Sequence, residues 1–200
     1  MPRVKVPRKS TAIDMTAMCD VAFLLLTFFI MTSKPRVEDP VPVDTPGSTT
    51  EQTLPEKDIA IVTVGNGKAF FNLEGAEARK ELLVQMGQRY NISFTPSEAK
   101  TFSTVDNVSV PVAQLKQFLA ASSEQRKLMN PGIPTDSVSN ELYNWIHDAR
   151  LVTRNLYDKD LRISIKGDSK EEYPTMQRII AILQKQKVNK FSLITTLRGK

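Results

Sequence analysis

The sequence predicts a single N-terminal transmembrane helix carrying a small α+β domain. Three observations lead there: an apolar run at residues 17–31, a hairpin pattern at 59–72, and a strand–helix–strand pattern at 161–196. Two hundred residues suffice for one anchor plus one domain of ordinary size. The long apolar stretch occurs once, so the chain is not a multi-span protein.

Charge and composition remove several function classes. Of the net charge of +5, Arg3, Lys5, Arg8 and Lys9 contribute +4 and Asp14 and Asp20 contribute −2, leaving +3 for residues 34–200. The basic balance thus belongs mostly to the tail, which argues against a nucleic-acid partner. The single cysteine, Cys19, lies inside the apolar run and excludes an intramolecular disulfide. One histidine, His147, with no cysteine near it rules out an ordinary His/Cys zinc site.

Residues 1–11 form a basic tail broken by Pro2 and Pro7. Followed by an apolar run, this tail gives the positive-inside signal: N-terminus in the cytoplasm, C-terminus exported. Residues 12–33 are the expected transmembrane helix. In Ala17–Met31, thirteen of fifteen residues are apolar, Asp20 and Thr27 excepted. From Met15 to Ser33 a helix rises roughly 28 Å, near the hydrocarbon thickness of a bilayer. The run ends in Thr32-Ser33-Lys34-Pro35-Arg36 and not in a small-residue cleavage site, which favours a retained anchor over a signal peptide. Most of the apolar run follows Cys19 rather than preceding it, against a lipoprotein.

Asp20 is the costly residue, by about 2.5–3.5 kcal/mol on insertion scales unless it is neutral or faces protein or water. On a helix Thr16, Asp20, Leu24, Thr27 and Met31 share one face, at steps of four, four, three and four. A Thr–Asp–Thr face needs protein or water, which one helix does not supply, so partner helices are expected. The plain alternative is an acid resting at headgroup level.

Residues 34–58 hold five of the twelve prolines and read as an extended, Pro-rich linker. Drawn out fully, it would reach roughly 75 Å. The α+β domain is expected over 59–200. Ile59–Val64 alternates as a strand, Gly65-Asn66-Gly67 turns, and Lys68–Asn72 returns. Glu77–Tyr90 reads as a helix with Leu82, Leu83 and Met86 inward. Residues 91–110 read as irregular, and Val112–Ala121 as a helix with Leu115, Phe118 and Leu119 on its apolar side. After a break at Asn130–Pro134, a longer helix is expected from Asp136 towards Leu156. Leu161, Ile163 and Ile165 alternate as a strand, and Gly167-Asp168 turns. Pro174 opens a helix whose Met176, Ile179, Ile180 and Leu183 form a stripe, and Phe191–Thr196 is a further strand. Strand–helix–strand of this length is a βαβ crossover with parallel strands. Together with the hairpin it predicts a four-stranded mixed sheet with helices on one face.

These residues resemble the ExbD/TolR family of energy-transducing inner-membrane proteins. Thr16–Phe29, TAMCDVAFLLLTFF, is similar to the family's TPLIDVVFLLLIFF anchor and places Asp20 on its single membrane aspartate. Val43-Asp-Thr-Pro46 resembles V-x-L-P, and Leu161–Thr195 resembles the terminal segment, with Asp168 and Tyr173 on matching positions. Ala17 replaces the family's proline. Residues 91–156 are an insertion relative to short family members, either a binding surface or added thickness. The resemblance implies a bacterial inner-membrane subunit, paired with a second copy of itself inside an ExbB-like multi-span ring, which couples the proton motive force to a TonB-like partner. It implies Asp20 as the proton-carrying residue. Thr16 and Thr27 are candidates for lining the proton path, and protons are the coupling ion, with no cofactor. Asp168 and Tyr173 are candidates for partner binding, or for capping and packing the last helix. A TolR-like or motility motor, or a passive anchored binding module, are the competing roles. Nothing in the sequence points to an enzyme: it has no phosphate-cradling loop and no Ser/His/Asp spacing. The adjacent His147 and Asp148 read as a surface pair.

Overall fold

The computed structural model describes residues 15–33, 39–48, 58–136 and 139–197. The chain divides into two compact units, Met1–Val37 and Glu38–Lys200. The basic tail, the first residues of the expected membrane segment, and linker residues 34–38 and 49–57 lie outside the described residues.

In the first unit, α1 spans Met15–Thr32, and none of its residues is buried. It is the one helix among the described residues that is long and apolar enough to cross a membrane. Two of its threonines fold their hydroxyls back onto the helix. Thr27 donates to the Leu24 carbonyl at 2.9 Å and Thr32 to that of Phe28 at 2.8 Å. Such back-bonding lets a hydroxyl sit in apolar surroundings with its proton satisfied.

The second unit is the expected α+β domain. Strands β2 (Ile59–Gly65) and β3 (Lys68–Leu73) form an antiparallel hairpin. Asn66 and Gly67, at φ 54° and 72°, supply the two left-handed residues that a two-residue hairpin turn requires. Strand β4 (Arg162–Gly167) pairs with β2 in parallel, Ile59 opposite Arg162 through Val64 opposite Gly167. Strand β5 (Ser192–Ile194) extends the sheet from β4, again in parallel, giving the order β3-β2-β4-β5. Helix α7 (Tyr173–Lys185) makes the crossover from β4 to β5.

One face of the sheet presents Ala60, Val62 and Val64 beside Phe71, Leu73, Ile163 and Ile165. Helix α2 (Ala76–Tyr90) meets it with Leu82, Leu83 and Met86, as its periodicity predicts. Helix α6 (Glu141–Tyr157) contributes Leu142, Trp145, Ile146, Ala149 and Val152. Trp145 is fully buried, its ring 6.2 Å from Phe71 and 6.1 Å from Phe102. Burying such a ring contributes roughly 1.5–3 kcal/mol, which makes it a keystone of the core. In α7 the buried apolar set is Ile179, Ile182 and Leu183, with Met176 and Ile180 only partly covered.

The segment expected to be irregular contains α3 (Pro96–Thr104). Thr95 and Glu98 form a reciprocal capping box, the Glu98 amide donating to Thr95 Oγ1 at 3.2 Å and the Thr95 amide to Glu98 at 2.7 Å. The helix expected at 112–121 begins as a 3₁₀ turn, Val112–Gln114, before α4 (Leu115–Ala120). A second capping box, Ser122 with Gln125, opens the unexpected α5 (Ser123–Leu128). Helix α6 starts five residues later than expected, where Asn140 accepts from the Tyr143 amide at 3.0 Å. The segment 91–156 thickens the domain: besides the core residues of α6, it lays Val108 and Ile133 against β3. Val108 exchanges backbone bonds with Phe71 at 2.8 and 3.2 Å, and Ile133 N–H donates to Ala69 at 2.8 Å. The outer edge of β3 is thereby covered.

Part of the expected linker lies along the domain. Asp39 pairs with Lys166 at 2.6 Å, Asn130 donates to the Pro40 carbonyl at 2.9 Å, and Val41 is buried. Asp44 accepts from the Ser169 amide at 2.8 Å. β1 (Gly47–Ser48) then pairs in parallel with β6 (Thr196–Leu197). Residues 39–48 thus form a strap rather than a free tether, and the fully drawn reach does not apply to them. The same pairing divides the last expected strand, since Thr196 leaves the main sheet to meet Gly47.

Candidate functional site

Helix geometry fixes how the membrane acid is accompanied. At about 100° per residue, Thr16, Asp20, Leu24, Thr27 and Met31 of α1 fall within an arc of about 80°. Thr16 lies about 6 Å below Asp20 along the axis, and Thr27 about 10 Å above it. Asp20 is exposed on the helix, with no ion-pair partner among the described residues. The back-bonded hydroxyl of Thr27 has its proton committed to Leu24, so towards its surroundings it offers oxygen lone pairs. A carboxyl on this face can be solvated as a carboxylate by water, or donate a proton when neutral. That capacity depends on what surrounds the helix in the membrane.

The β4–α7 loop carries Asp168 and Tyr173. Asp168 shapes the loop: its amide donates to Val64 at 3.1 Å, its carbonyl accepts from Glu171 at 3.1 Å, and its carboxylate accepts from the Lys170 amide at 3.0 Å. Glu171 then accepts from the Gly67 amide at the hairpin turn, at 3.1 and 3.2 Å. Tyr173 opens α7 and is 74 % exposed, so it does not pack the core. The two residues sit at opposite ends of one loop, Asp168 engaged locally and Tyr173 turned to solvent.

The pair read as superficial is different in the fold. Asp148 is buried on α6, and it accepts from Arg89 Nε of α2 at 2.8 Å, from Arg89 Nη2, and from His147 Nδ1 at 2.9 Å. Burial alone would raise its carboxyl, but the bonds from Arg89 and His147 prevail and hold it below the usual carboxylate range. The bond to Asp148 raises the Arg89 guanidinium in turn. Tyr143 stacks on His147 at 6.2 Å. Arg89 and Asp148 stand far apart in sequence, and no local pattern joins them. A second buried acid, Glu141, accepts from the Val112 amide at 2.8 Å; burial raises its carboxyl, the Val112 bond opposing it only in part and Asp136 adding to it. Both acids brace helices. Among the described residues no His, Cys, Asp and Glu group is placed to hold a metal ion.

A family model for biopolymer transport protein ExbD/TolR matches residues 7–198. No curated protein and no solved structure matches the chain. The matched stretch begins in the basic tail, passes through the aspartate-bearing helix and the whole sheet, and ends beyond β6. The chain belongs to the ExbD/TolR family of biopolymer transport proteins.

Proposed function

We propose that this chain is the ExbD-type subunit of a proton-driven motor, with Asp20 as its proton-carrying residue. Members of the family are transport and motor subunits rather than enzymes, and they generally work with ExbB/TolQ-like and TonB/TolA-like partners. The observation that carries the reading is a single acid on a threonine-bearing face of a helix otherwise suited to lipid. In this reading α1 crosses the bacterial inner membrane with its basic tail in the cytoplasm. A pair of such helices stands inside an ExbB-like ring, which supplies the protein and water that Asp20 needs. Charged and neutral Asp20 favour different dockings of the helix, a two-state element biased by protonation. Each proton moving down the potential releases about 2.3 kcal/mol per 100 mV, so several are needed for substantial work on a TonB-like partner. Thr16 and Thr27 line the path, and protons are the only coupling species required.

Asp20→Asn tests the proposal. The variant should insert, assemble with its ring and lose proton-coupled transport; full transport in that variant would sink the reading. A TolR-like or motility role uses the same chemistry and differs in partner, so mass spectrometry of proteins co-purified from membranes separates them. A passive binding module would keep its function after residues 12–33 were exchanged for an unrelated apolar anchor.

A further inference from the structure

A cavity of about 130 Å³ lies between one face of α6 and the residues that lead into β4. His147, Arg150, Leu151 and Arg154 line it from α6, and Asp160 and Leu161 from the other side. None of these residues belongs to β5 or to the strap. On a helix advancing about 100° and 1.5 Å per residue, the four α6 positions share an arc of about 100° along about 10 Å of axis. The polar groups of this wall are held from behind or left without a partner. His147 Nδ1 lies 2.9 Å from the buried Asp148 carboxylate, and Tyr143 stacks on the ring with 13° between the planes. With Nδ1 so engaged, Nε2 is the ring nitrogen left to serve a ligand. Arg150 spends one N–H on the Gln186 carbonyl at 3.0 Å, which steadies the guanidinium and leaves most of its donors unspent. The Arg154 guanidinium and the Asp160 carboxylate have no partner among the described residues.

We propose that this cavity binds a phosphate group, either as the free ion or on a lipid head group. Charge selects the sign of the ligand, because two guanidiniums and an imidazole stand against one carboxylate. Size limits it. At roughly 30 Å³ per water the space equals about four waters, which accommodates the heavy atoms of one phosphate. Shape selects the class of anion. A planar carboxylate saturates a single guanidinium fork, whereas a tetrahedral phosphate offers oxygens to two forks and an imidazole together. The donors are side chains on a helix face rather than backbone amides of a loop, so the site needs no glycine-rich motif. Asp160 opposes the charge of the ligand and limits its affinity.

The site and its test are independent of proton transfer by Asp20. The full chain in mild detergent is titrated with inorganic phosphate at constant ionic strength, and binding is read by isothermal titration calorimetry. One saturable site per chain is expected. Arg154→Gln should weaken it by about tenfold, and His147→Gln by a smaller factor. Asp160→Asn should tighten it by a factor of about three, since a repelling charge is removed. Arg178→Gln, on α7 and outside the cavity, should bind as the wild type does, and Trp145 fluorescence shows that each variant is folded. Doping the micelles with a short-chain phosphatidic acid distinguishes the source. Tighter binding of the lipid through Arg154 assigns the site to a head group, and no gain over inorganic phosphate assigns it to the free ion. Absence of saturable binding by either ligand, an equal response to acetate, or undiminished affinity in folded Arg154→Gln/His147→Gln would overturn the proposal.

Discussion

Arg89→Met is expected to destabilise the domain severely, because it leaves the buried Asp148 carboxylate with His147 alone. The Asp148 side chain is 3 % exposed, whereas that of Arg89 is 39 % exposed. Breaking a fully buried pair costs about 3–5 kcal/mol, and the water around Arg89 reduces this to about 2–3 kcal/mol. With a urea slope near 2 kcal/mol per molar for a domain of this size, the unfolding midpoint at pH 7 should fall by about 1–1.5 M. The assay is intrinsic fluorescence of the full chain in mild detergent, since Trp145 is the single tryptophan and lies at the centre of the core. The pH dependence has a definite sign. The folded Asp148 carboxyl is lowered, so its contribution is present above the unfolded value near 4 and is lost as pH falls through the folded value. The difference between wild type and Arg89→Met should therefore shrink below about pH 4. Replacing both partners, as Arg89→Met/Asp148→Leu, should recover most of the loss, because no charge is then left buried. A single variant whose midpoint stays within about 0.3 M of wild type, or a double variant no better than the single, would refute the argument.

Two further outcomes follow from close packing and from burial. Gly87→Ala should destabilise the domain despite the roughly 1 kcal/mol by which alanine favours a helix, because an added Cβ would lie 2.6 Å from the Ile92 carbonyl oxygen and 3.0 Å from the Phe94 ring; a raised melting temperature would contradict this. Glu141→Gln should keep an acceptor for the Val112 amide while removing a carboxyl that burial raises. The wild-type acid contributes stability that is present below its unfolded value and lost as pH rises through the folded one. Stability curves from pH 4 to 8 should therefore show a shallower decline for the variant, and parallel curves would count against it.

The elements legible in the sequence were those whose signals are local. The hairpin announced itself through alternation around Asn66-Gly67, α2 through Leu82, Leu83 and Met86, and the crossover through the alternation of Leu161 to Ile165. Asp20 was conspicuous in the sequence because a charge in an apolar run carries a cost of its own. The capping boxes at Thr95 and Ser122 were equally local signals, masked by the polar composition of the short helices behind them. What escaped was long-range. Arg89 meets Asp148, Asn130 meets Pro40, and Thr196 leaves the sheet for Gly47, all through pairings that no periodicity encodes. Proline content read residues 34–58 as a free spacer, because composition reports stiffness and extension but not what an extended segment lies against.

The strap changes where a load enters the domain. Two segments distant in sequence converge on the stretch from Lys166 to Glu171, where the crossover to α7 starts: Asp39 and Asp44 of the strap, and the hairpin turn at Gly67. Lys166 belongs to β4, a central strand bonded to β2 on one side and to β5 on the other. Force transmitted along residues 39–48 is therefore delivered to the middle of the sheet, through the Asp39–Lys166 pair and the Asp44–Ser169 bond, rather than to an edge strand. Edge strands open by losing one ladder, whereas displacing β4 requires two. The attachments of the strap are by contrast a few single bonds, two ion pairs at Asp39–Lys166 and Asp44–Lys170, the buried side chain of Val41 and one short two-residue ladder. Under load the strap yields before the sheet does.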